Sequence, residues 1–304
     1  MKWIKKGLIY GPDGKYSWAK NSALTPTPIL LNDKIIRIYA GFRDENGVSR
    51  IGFVDVDAEN PSIVINVSKT PVLDVGIPGT FDDNGMILGD VIKYKEKIYM
   101  YYVGFQLVEK IKFLAFTGLA ISTDNGDTFC KYSRTPILDR SNEGIYIRAI
   151  HFVLIEKGIW KIWYSLGNEW QWINGKPFPR YNIWYIESKD GKTFLEEGKL
   201  CIDVKESEYR IGRARIYRVE NKYIMFYTRG TIKGDYIIGY AKSINGIDWI
   251  RVDDKIGISL SKTGWDSKAL SYPALIRYKE KIYMFYNGND MGKSGFGYAI
   301  LKEW

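Results

Sequence analysis

The sequence predicts an all-β protein: a single five-bladed β-propeller over residues 1–304, with four antiparallel strands in each blade. Three observations predict it: a strand repeat, the turns between the repeats, and an N-terminal strand that fits the incomplete last repeat. An aromatic-rich strand recurs five times, and spacings of 63, 62, 63 and 59 residues separate its tyrosines, which are Tyr39, Tyr102, Tyr164, Tyr227 and Tyr286. A regular period of this size, with strand patterns and no helical pattern between, is typical of a propeller or a similar array.

The four strands of one repeat are clearest in the second copy. They read, in chain order, MILGDVIKY, KIYMYYVGF, TGLAIST and TFCKYSRTPIL. Apolar residues alternate there with small or polar ones, and Gly, Asn or Asp residues separate the segments, as expected of half-buried strands and tight turns. The first segment of each repeat is expected to be the inner strand, which borders the central channel.

The turn between third and fourth strands carries a second repeated pattern, S-x-D-x-G-x-[TS]-[WF], at 122–129. Shorter versions occur at 188–194 and 243–249, and we call all three segments Asp-box turns. An Asp or Asn that bonds its own backbone, followed by a Gly at positive φ, makes a tight hairpin. We therefore interpret these Asp residues as structural and not as catalytic.

The last repeat ends after its third strand, GFGYAILKEW, and the start of the chain supplies the missing strand. Residues 2–9 resemble the fourth-strand segment 248–258. We expect this N-terminal strand to complete the last blade, because that arrangement leaves no unpaired sheet edge.

The composition of the chain excludes several classes of partner and cofactor and predicts its location. The net charge is +9, but the lysines are dispersed, so we expect neither nucleic acid nor a membrane as partner. One histidine and two cysteines make a zinc site or a disulfide scaffold improbable, and we predict no metal and no cofactor. No apolar run is long enough to span a bilayer and no secretory leader is visible, so the expected location is the cytoplasm.

The repeats resemble the five-bladed propellers of the glycoside hydrolase superfamily that includes arabinanases, invertases, levansucrases and mannosyl-phosphorylases. The resemblance covers the whole chain. It rests on the Y-M-x-Y strand followed by h-G-x-A-x-S-x-D-G-x-x-W, and on the G-W-D-x(6)-P run from Gly264 to Pro273. It implies a carbohydrate-active protein whose ligand lies at the mouth of the central channel.

The same resemblance shows a departure. The glycosidases place an Asp before a Pro on the first inner strand, whereas this chain has Thr25 and Thr27 before its prolines. Tyr272 precedes a Pro at the matching place of the last blade. The usual three-carboxylate set of the superfamily does not transfer to this chain, which argues against ordinary furanosidase activity.

A long connection in the third blade, 167–180, contains Glu169, Trp170 and Trp172. Tryptophan faces stack on sugar rings and carboxylates bond hydroxyls, so the segment resembles a sugar subsite. The alternative is a loop packed down by its own aromatics. Arg43 lies in the shorter counterpart of this connection in the first blade.

The inner strands contribute basic groups: Arg148, His151, Arg213 and Arg215. An arginine fork fits a carboxylate or phosphate, so we predict an anionic ligand, namely an acidic or phosphorylated sugar or glycan. The alternative is that these arginines pair internally with acids such as Asp90, Glu143 or Asp82. A lone histidine is weak evidence for catalysis.

For cleavage of a glycosidic bond, the best predicted carboxylate pair is Asp90 with Glu169, and Asp83 or Glu143 could substitute. Phosphorolysis needs one protein acid, and Tyr272 could serve as a nucleophile toward an anionic sugar. Hydrolysis or phosphorolysis is our first hypothesis. The alternatives are a non-catalytic carbohydrate-binding propeller and a scaffold whose rim binds another protein.

Overall fold

The computed structural model describes residues 1–195, 197–232 and 234–304, and the side chain of Asp235 lies outside the described part. Nearly all of its regular structure is β. In this part of the chain the strands are β1 Lys2–Tyr10, β2 Asn21–Asn32, β3 Ile35–Arg43, β4 Ser49–Asp57, β5 Val64–Val67, β6 Met86–Tyr94, β7 Lys97–Gln106, β8 Leu114–Ser122, β9 Cys130–Lys131, β10 Ile147–Glu156, β11 Ile159–Ile173, β12 Lys176–Ser188, β13 Lys199–Ile202, β14 Glu208–Val219, β15 Lys222–Thr231, β16 Gly234–Ser243, β17 Ile250–Arg251, β18 Ser271–Tyr278, β19 Lys281–Asn287 and β20 Phe296–Glu303. A 3₁₀ turn spans Asp253–Lys255, and a short helical turn, α1, spans Asn289–Gly292.

Antiparallel pairing groups these strands into four-stranded units. β2 to β5, β6 to β9, β10 to β13 and β14 to β17 each form one consecutive meander. We number these units one to four in chain order. Unit five joins β18, β19 and β20 to β1, so the N-terminal strand pairs with the C-terminal one, Lys2 opposite Glu303. The strand grouping therefore follows the repeat in the sequence.

The first strands of the five units contact one another in a cycle. β2 contacts β6, β6 contacts β10, β10 contacts β14, β14 contacts β18, and β18 contacts β2 again. Between the units lie apolar clusters, each built from two neighbours; one example combines Tyr39 and Ile51 of unit one with Met100 and Tyr102 of unit two. Burying these aromatic faces is the main force that holds neighbouring units together.

The three Asp-box turns connect units one to two, two to three and three to four. The Tyr39 hydroxyl donates to the Gly126 carbonyl at 2.9 Å, Tyr101 donates to Gly191 at 2.9 Å, and Trp163 donates to Gly246 at 2.8 Å. In each case the aromatic belongs to the preceding unit. The aromatic residues of the second strands therefore serve to align neighbouring units.

Within the first Asp-box turn, Ser122 and Asp124 bond the turn itself. The Ser122 Oγ accepts from the Gly126 N–H at 2.8 Å, and the Thr128 hydroxyl donates to Asp124 at 2.6 Å. Slight burial opposes ionisation, but the hydrogen bonds from Ser122 and Thr128 lower the pKa of Asp124 to about 2. These contacts agree with a structural role for the Asp.

One segment differs from its predicted form. The connection 167–180, expected as a loop, continues β11 and β12 as a paired hairpin in which Glu169 lies opposite Arg180 and Ile173 opposite Lys176. Its turn is Asn174-Gly175, and both residues have positive φ, 49° and 73°. That is the geometry of a two-residue type I′ turn, which Asn-Gly favours.

Candidate functional site

All five inner strands are interrupted by a β-bulge at the same level. The pairing of each inner strand with its second strand shifts around residues that are equivalent in the repeat: Thr25, Gly89, His151, Arg213 and Tyr272. Three of them, Thr25, Arg213 and Tyr272, have positive φ of 53°, 56° and 55°. Because a bulge redirects the side chain at its position, the units with Thr25, His151, Arg213 and Tyr272 each direct one side chain differently from its strand neighbours; unit two has Gly89 there.

A cavity of about 410 Å³ lies over this ring of bulges. Thr25, His151 and Tyr272 form part of its lining, together with residues of the second and third strands. Its size is in the range of small-molecule sites. The bulges, which the sequence did not suggest, thus place side chains of three different units in one cavity.

Arg213 lies beneath the cavity, at the centre of the ring. Its guanidinium donates to the carbonyl oxygens of Leu88 and Gly89, to the Thr25 carbonyl at 3.2 Å and to the Thr27 hydroxyl at 2.6 Å. Burial lowers the pKa of Arg213, and the neighbouring Arg215 lowers it further. Arg213 therefore joins units one, two and four, and its donors face protein oxygens.

Arg215 and Asp90 form a buried ion pair beside it. The Arg215 Nη1 donates to Asp90 and also to the His151 carbonyl at 3.2 Å. The other Asp90 oxygen accepts from the Val153 N–H at 2.9 Å. Both side chains are almost fully buried, and neither lines the cavity. Asp90 lies where an inner-strand acid was predicted, but as a structural partner of an arginine.

The other predicted residues outside the cavity also have protein partners. Arg148 donates to Glu143 at 3.1 Å and to the Asp139 carbonyl at 2.9 Å. Glu169 is 63% exposed and pairs with Arg180 at 2.8 Å, and Asp83 accepts from the N–H of Gly79 at 2.8 Å. None of the three lines the cavity. The predicted Asp90–Glu169 pair is therefore not assembled at this cavity.

The two tryptophans of the hairpin do not line the cavity either. Trp170 packs edge-on against Phe113, with ring centroids 5.2 Å apart, and Trp172 is 68% exposed near the hairpin tip. Phe178, Pro177 and Pro179 of the same hairpin lie at the cavity instead.

Two arginines do line the cavity: Arg43, which was predicted, and Arg210, which was not. The Arg210 guanidinium lies 4.7 Å from the ring centroids of both Tyr209 and Tyr236, and 5.9 Å from that of Tyr181. Among the described residues, neither arginine has a carboxylate within ion-pair distance. Lys112 adds a third cationic side chain to the lining. The sequence repeat did not indicate Arg210, because this residue precedes the bulge and lies outside the segment recognised as the inner-strand motif.

Carboxylates are missing from the described part of the lining. Arg43 and Arg210 are partly buried and Lys112 is exposed. Partly buried cationic groups without a protein anion suit a ligand that brings negative charge. No group of three or more His, Cys, Asp or Glu side chains within the described chain is arranged to hold a metal ion.

His151 and Tyr272 are neutral groups of the lining. The His151 Nε2 lies 3.0 Å from the Ser165 Oγ, and burial, together with Arg213 and Arg215, lowers the pKa of His151 well below its ordinary value. Burial and the nearby Tyr181 raise the pKa of Tyr272 to about 12, against the influence of Arg210. The imidazole is therefore uncharged at neutral pH, and the phenol keeps its proton as a hydrogen-bond donor.

Known proteins similar to this chain include relatives by sequence and several solved structures. No family model matches the chain. Uncharacterized protein Rv1502 of Mycobacterium tuberculosis (strain ATCC 25618 / H37Rv) is 29% identical over 310 residues, covering both chains in full.

Solved structures share the fold. A glycoside hydrolase superposes with a TM-score of 0.75 at 18% identity, over 99% of this chain and 93% of its own. A thermostable family-43 glycoside hydrolase gives 0.70 at 17% identity, over 92% and 89%. A member of the GH130 family of mannoside phosphorylases and glycoside hydrolases gives 0.69 at 15% identity, over 98% and 93%. The chain thus has the fold of propeller-type glycoside hydrolases.

Proposed function

We propose that this protein is carbohydrate-active and that its cavity binds an acidic or phosphorylated sugar or glycan, with hydrolysis or phosphorolysis of a glycosidic bond as the reaction. One observation carries the proposal: Arg43, Lys112 and Arg210 line a cavity in which the described side chains include no carboxylate. Cationic forks without a protein anion recognise carboxylate or phosphate. The fold shared with glycoside hydrolases supports the sugar part of the ligand.

The proposal includes the architecture. Residues 1–304 form one five-bladed propeller, and the N-terminal strand completes the last blade. The cycle of contacts among the five inner strands and the pairing of β1 with β20 support this arrangement. The described part of the chain includes no helix long and apolar enough to cross a membrane. The cytoplasmic location stays a prediction.

In this proposal, Arg210 and Arg43 bind the anionic group. Tyr272 donates a hydrogen bond to the ligand instead of attacking it, because its pKa of about 12 disfavours the phenolate. His151 presents an uncharged nitrogen. Asp90, predicted as one of a catalytic carboxylate pair, has no such role in this proposal, since its oxygens are occupied by Arg215 and by the Val153 N–H.

A non-catalytic sugar-binding propeller is the second candidate, and a specific observation favours it. Glycosidic hydrolysis in most such enzymes uses two carboxylates flanking the bond. The described cavity lining has none. Binding without turnover would need only the arginines, the tyrosines and the apolar wall.

Two measurements separate the candidates. Calorimetric titration with glucuronate, galacturonate and hexose phosphates tests binding, and we expect Arg210→Met to weaken it at least tenfold while the exposed Arg134→Met does not. Incubation with oligosaccharides, with and without inorganic phosphate, tests turnover. Products that depend on Tyr272 and Arg210 identify an enzyme; binding without products identifies the sugar-binding alternative. If no anionic sugar binds, the proposal fails.

A further inference from the structure

The cavity has two chemically different walls. One wall is apolar and comes from units two and three: Val103, Ala115, Ile147 and Ala149 form a small buried cluster of their own. Partly buried apolar and aromatic side chains pack against this cluster, and Ile87, Phe105 and Phe113 also line the cavity. This cluster is separate from the larger cores between the units, because its open side is the cavity itself.

The opposite wall carries the charge. Arg210 of unit four is surrounded by tyrosines, and Arg43 of unit one lies near Tyr272 of unit five, close enough to influence its pKa. The Arg210 Nε is buried and has no hydrogen-bond partner among the described residues. The two arginines thus lie on the side of units four, five and one, whereas Lys112 belongs to the connection between β7 and β8 in unit two.

One exposed apolar side chain of unit two and one of unit five also lie at the cavity. Leu107, in the connection between β7 and β8, is 60% exposed, and Met291, between β19 and β20, is 37% exposed. Both line the cavity. Both side chains are available to contact an apolar part of a ligand.

Such a cavity does not suit a ligand that is polar on every side. A sugar hydroxyl buried against the apolar wall would lose its hydrogen bonds with water and gain none, which is unfavourable. The polar side chains on the wall, among them Ser49, Asn84 and Ser165, are few. An apolar substituent, in contrast, would be stabilised there by the area it removes from water.

We propose that the ligand of this cavity is an amphipathic anion: a phosphate or carboxylate group, with or without a sugar, attached to an apolar substituent such as an alkyl chain or an aromatic ring. This inference rests on the proposed function for the anionic group and adds the apolar part. The oxyanion binds Arg43 and Arg210, and the substituent packs on the apolar wall and under Leu107 and Met291. The same chemistry occurs in a free amphiphile and in a membrane lipid.

A series of alkyl phosphates tests it. Calorimetric titration with methyl, butyl, hexyl and octyl phosphate, below their micelle concentrations, measures the dependence of affinity on chain length; phenyl phosphate tests an aromatic substituent. We expect affinity to rise by up to about fourfold per buried methylene until the wall is covered. Neutral octyl glucoside should bind at least tenfold more weakly than octyl phosphate. Equal affinity for methyl, octyl and phenyl phosphate would overturn the proposal.

Two exposed residues provide a matched pair of variants that should both fold. Leu107→Ser, at the opening, should weaken octyl phosphate binding about three- to tenfold and leave methyl phosphate unchanged. Ile250→Ser, which lies on the outer strand β17 and is similarly exposed, should change neither. An equal effect of both variants would contradict the assigned wall.

Vesicles distinguish the two sources of the ligand. Sedimentation with phosphatidylcholine vesicles, with and without phosphatidylglycerol, detects a membrane-embedded anion; binding of octyl phosphate without vesicle binding identifies a free amphiphile. The proposed function is tested separately. If hexose phosphates bind and alkyl chain length has no effect, the proposed function stands and the amphipathic ligand is ruled out. If alkyl phosphates bind and no sugar binds, the amphipathic ligand stands and the proposed function is ruled out.

Discussion

Three of the four arginines of strand β14 lie in two different environments. Arg213 and Arg215, at the centre of the ring, are almost fully buried, and protein oxygens accept their hydrogen bonds. Arg210, only three residues earlier, lies at the cavity against tyrosine rings and has no carboxylate partner among the described residues. The bulge at Arg213 separates the two regions.

Arginine therefore has different roles in the centre and at the cavity. In the centre, Arg215 pairs with Asp90 and Arg213 donates to carbonyl and hydroxyl oxygens, so those arginines stabilise the junction of the units. At the cavity, tyrosine faces position the guanidinium but supply no anion, so the charge remains available to a ligand. Substitutions in the centre should therefore change stability, and substitutions at the cavity should change binding.

The largest expected effect concerns the buried pair in the centre. Asp90→Asn leaves the Arg215 charge buried without a counter-ion, and we expect the free energy of unfolding to fall by about 3–5 kcal/mol. Urea denaturation at pH 7 measures it. Glu169→Gln is the control, since the exposed pair with Arg180 should contribute less than about 1 kcal/mol. A stable Asp90→Asn protein would show that the centre does not depend on this pair.

Arg213 and Arg210 can be compared directly by the same substitution. Arg213→Met leaves carbonyl oxygens of Leu88, Gly89 and Thr25 without their donor, and we expect a loss of about 2–4 kcal/mol in urea denaturation. Arg210→Met should alter stability by less than about 1 kcal/mol, because no described hydrogen bond is lost. If both variants lose the same stability, arginines in the centre and at the cavity do not differ in their structural role.

A substitution at Gly212, between Arg210 and Arg213, tests the packing between the cavity and the centre. A Cβ on Gly212 would lie 2.5 Å from the Ser165 Oγ and 2.8 Å from the Tyr181 ring, so Gly212→Ala should destabilise by about 1–3 kcal/mol in thermal or urea unfolding. Adding Ser165→Ala removes one of the two contacts and should recover part of the loss. No recovery in the double variant would assign the strain to Tyr181 alone.

The smallest expected effect is a pH dependence. Burial lowers the pKa of His151, so below pH 6.5 the unfolded chain binds a proton that the folded protein excludes. Stability should therefore decrease as pH falls from 6.5, by up to about 1.4 kcal/mol per unit, until the lowered pKa is reached. Urea midpoints between about pH 7.5 and 5 measure it. In the His151→Gln variant, stability should depend less steeply on pH. If the variant and the original protein show the same pH dependence, groups other than His151 cause it.

The candidate site was only partly accessible to sequence reasoning. Tyr272 and His151 were found because they lie on inner strands, and Arg43 because it ends a second strand. Arg210 and the apolar wall were missed, since alternation identifies a half-buried side chain without telling whether its neighbour is protein or an open cavity. The Asn174-Gly175 pair could have indicated that 167–180 is a hairpin.

By itself, the sequence determined the strand repeats, the Asp-box turns and the partner of the N-terminal strand, because periodicity and turn chemistry are local properties of the chain. The tertiary structure alone decided which arginines face the cavity. Contacts between residues far apart in the chain give Arg215 a carboxylate in Asp90 and Arg213 a hydroxyl acceptor in Thr27, and they leave Arg210 without a carboxylate among the described residues. Burial and charge pairing at such distances depend on how the units pack, and no local pattern records them.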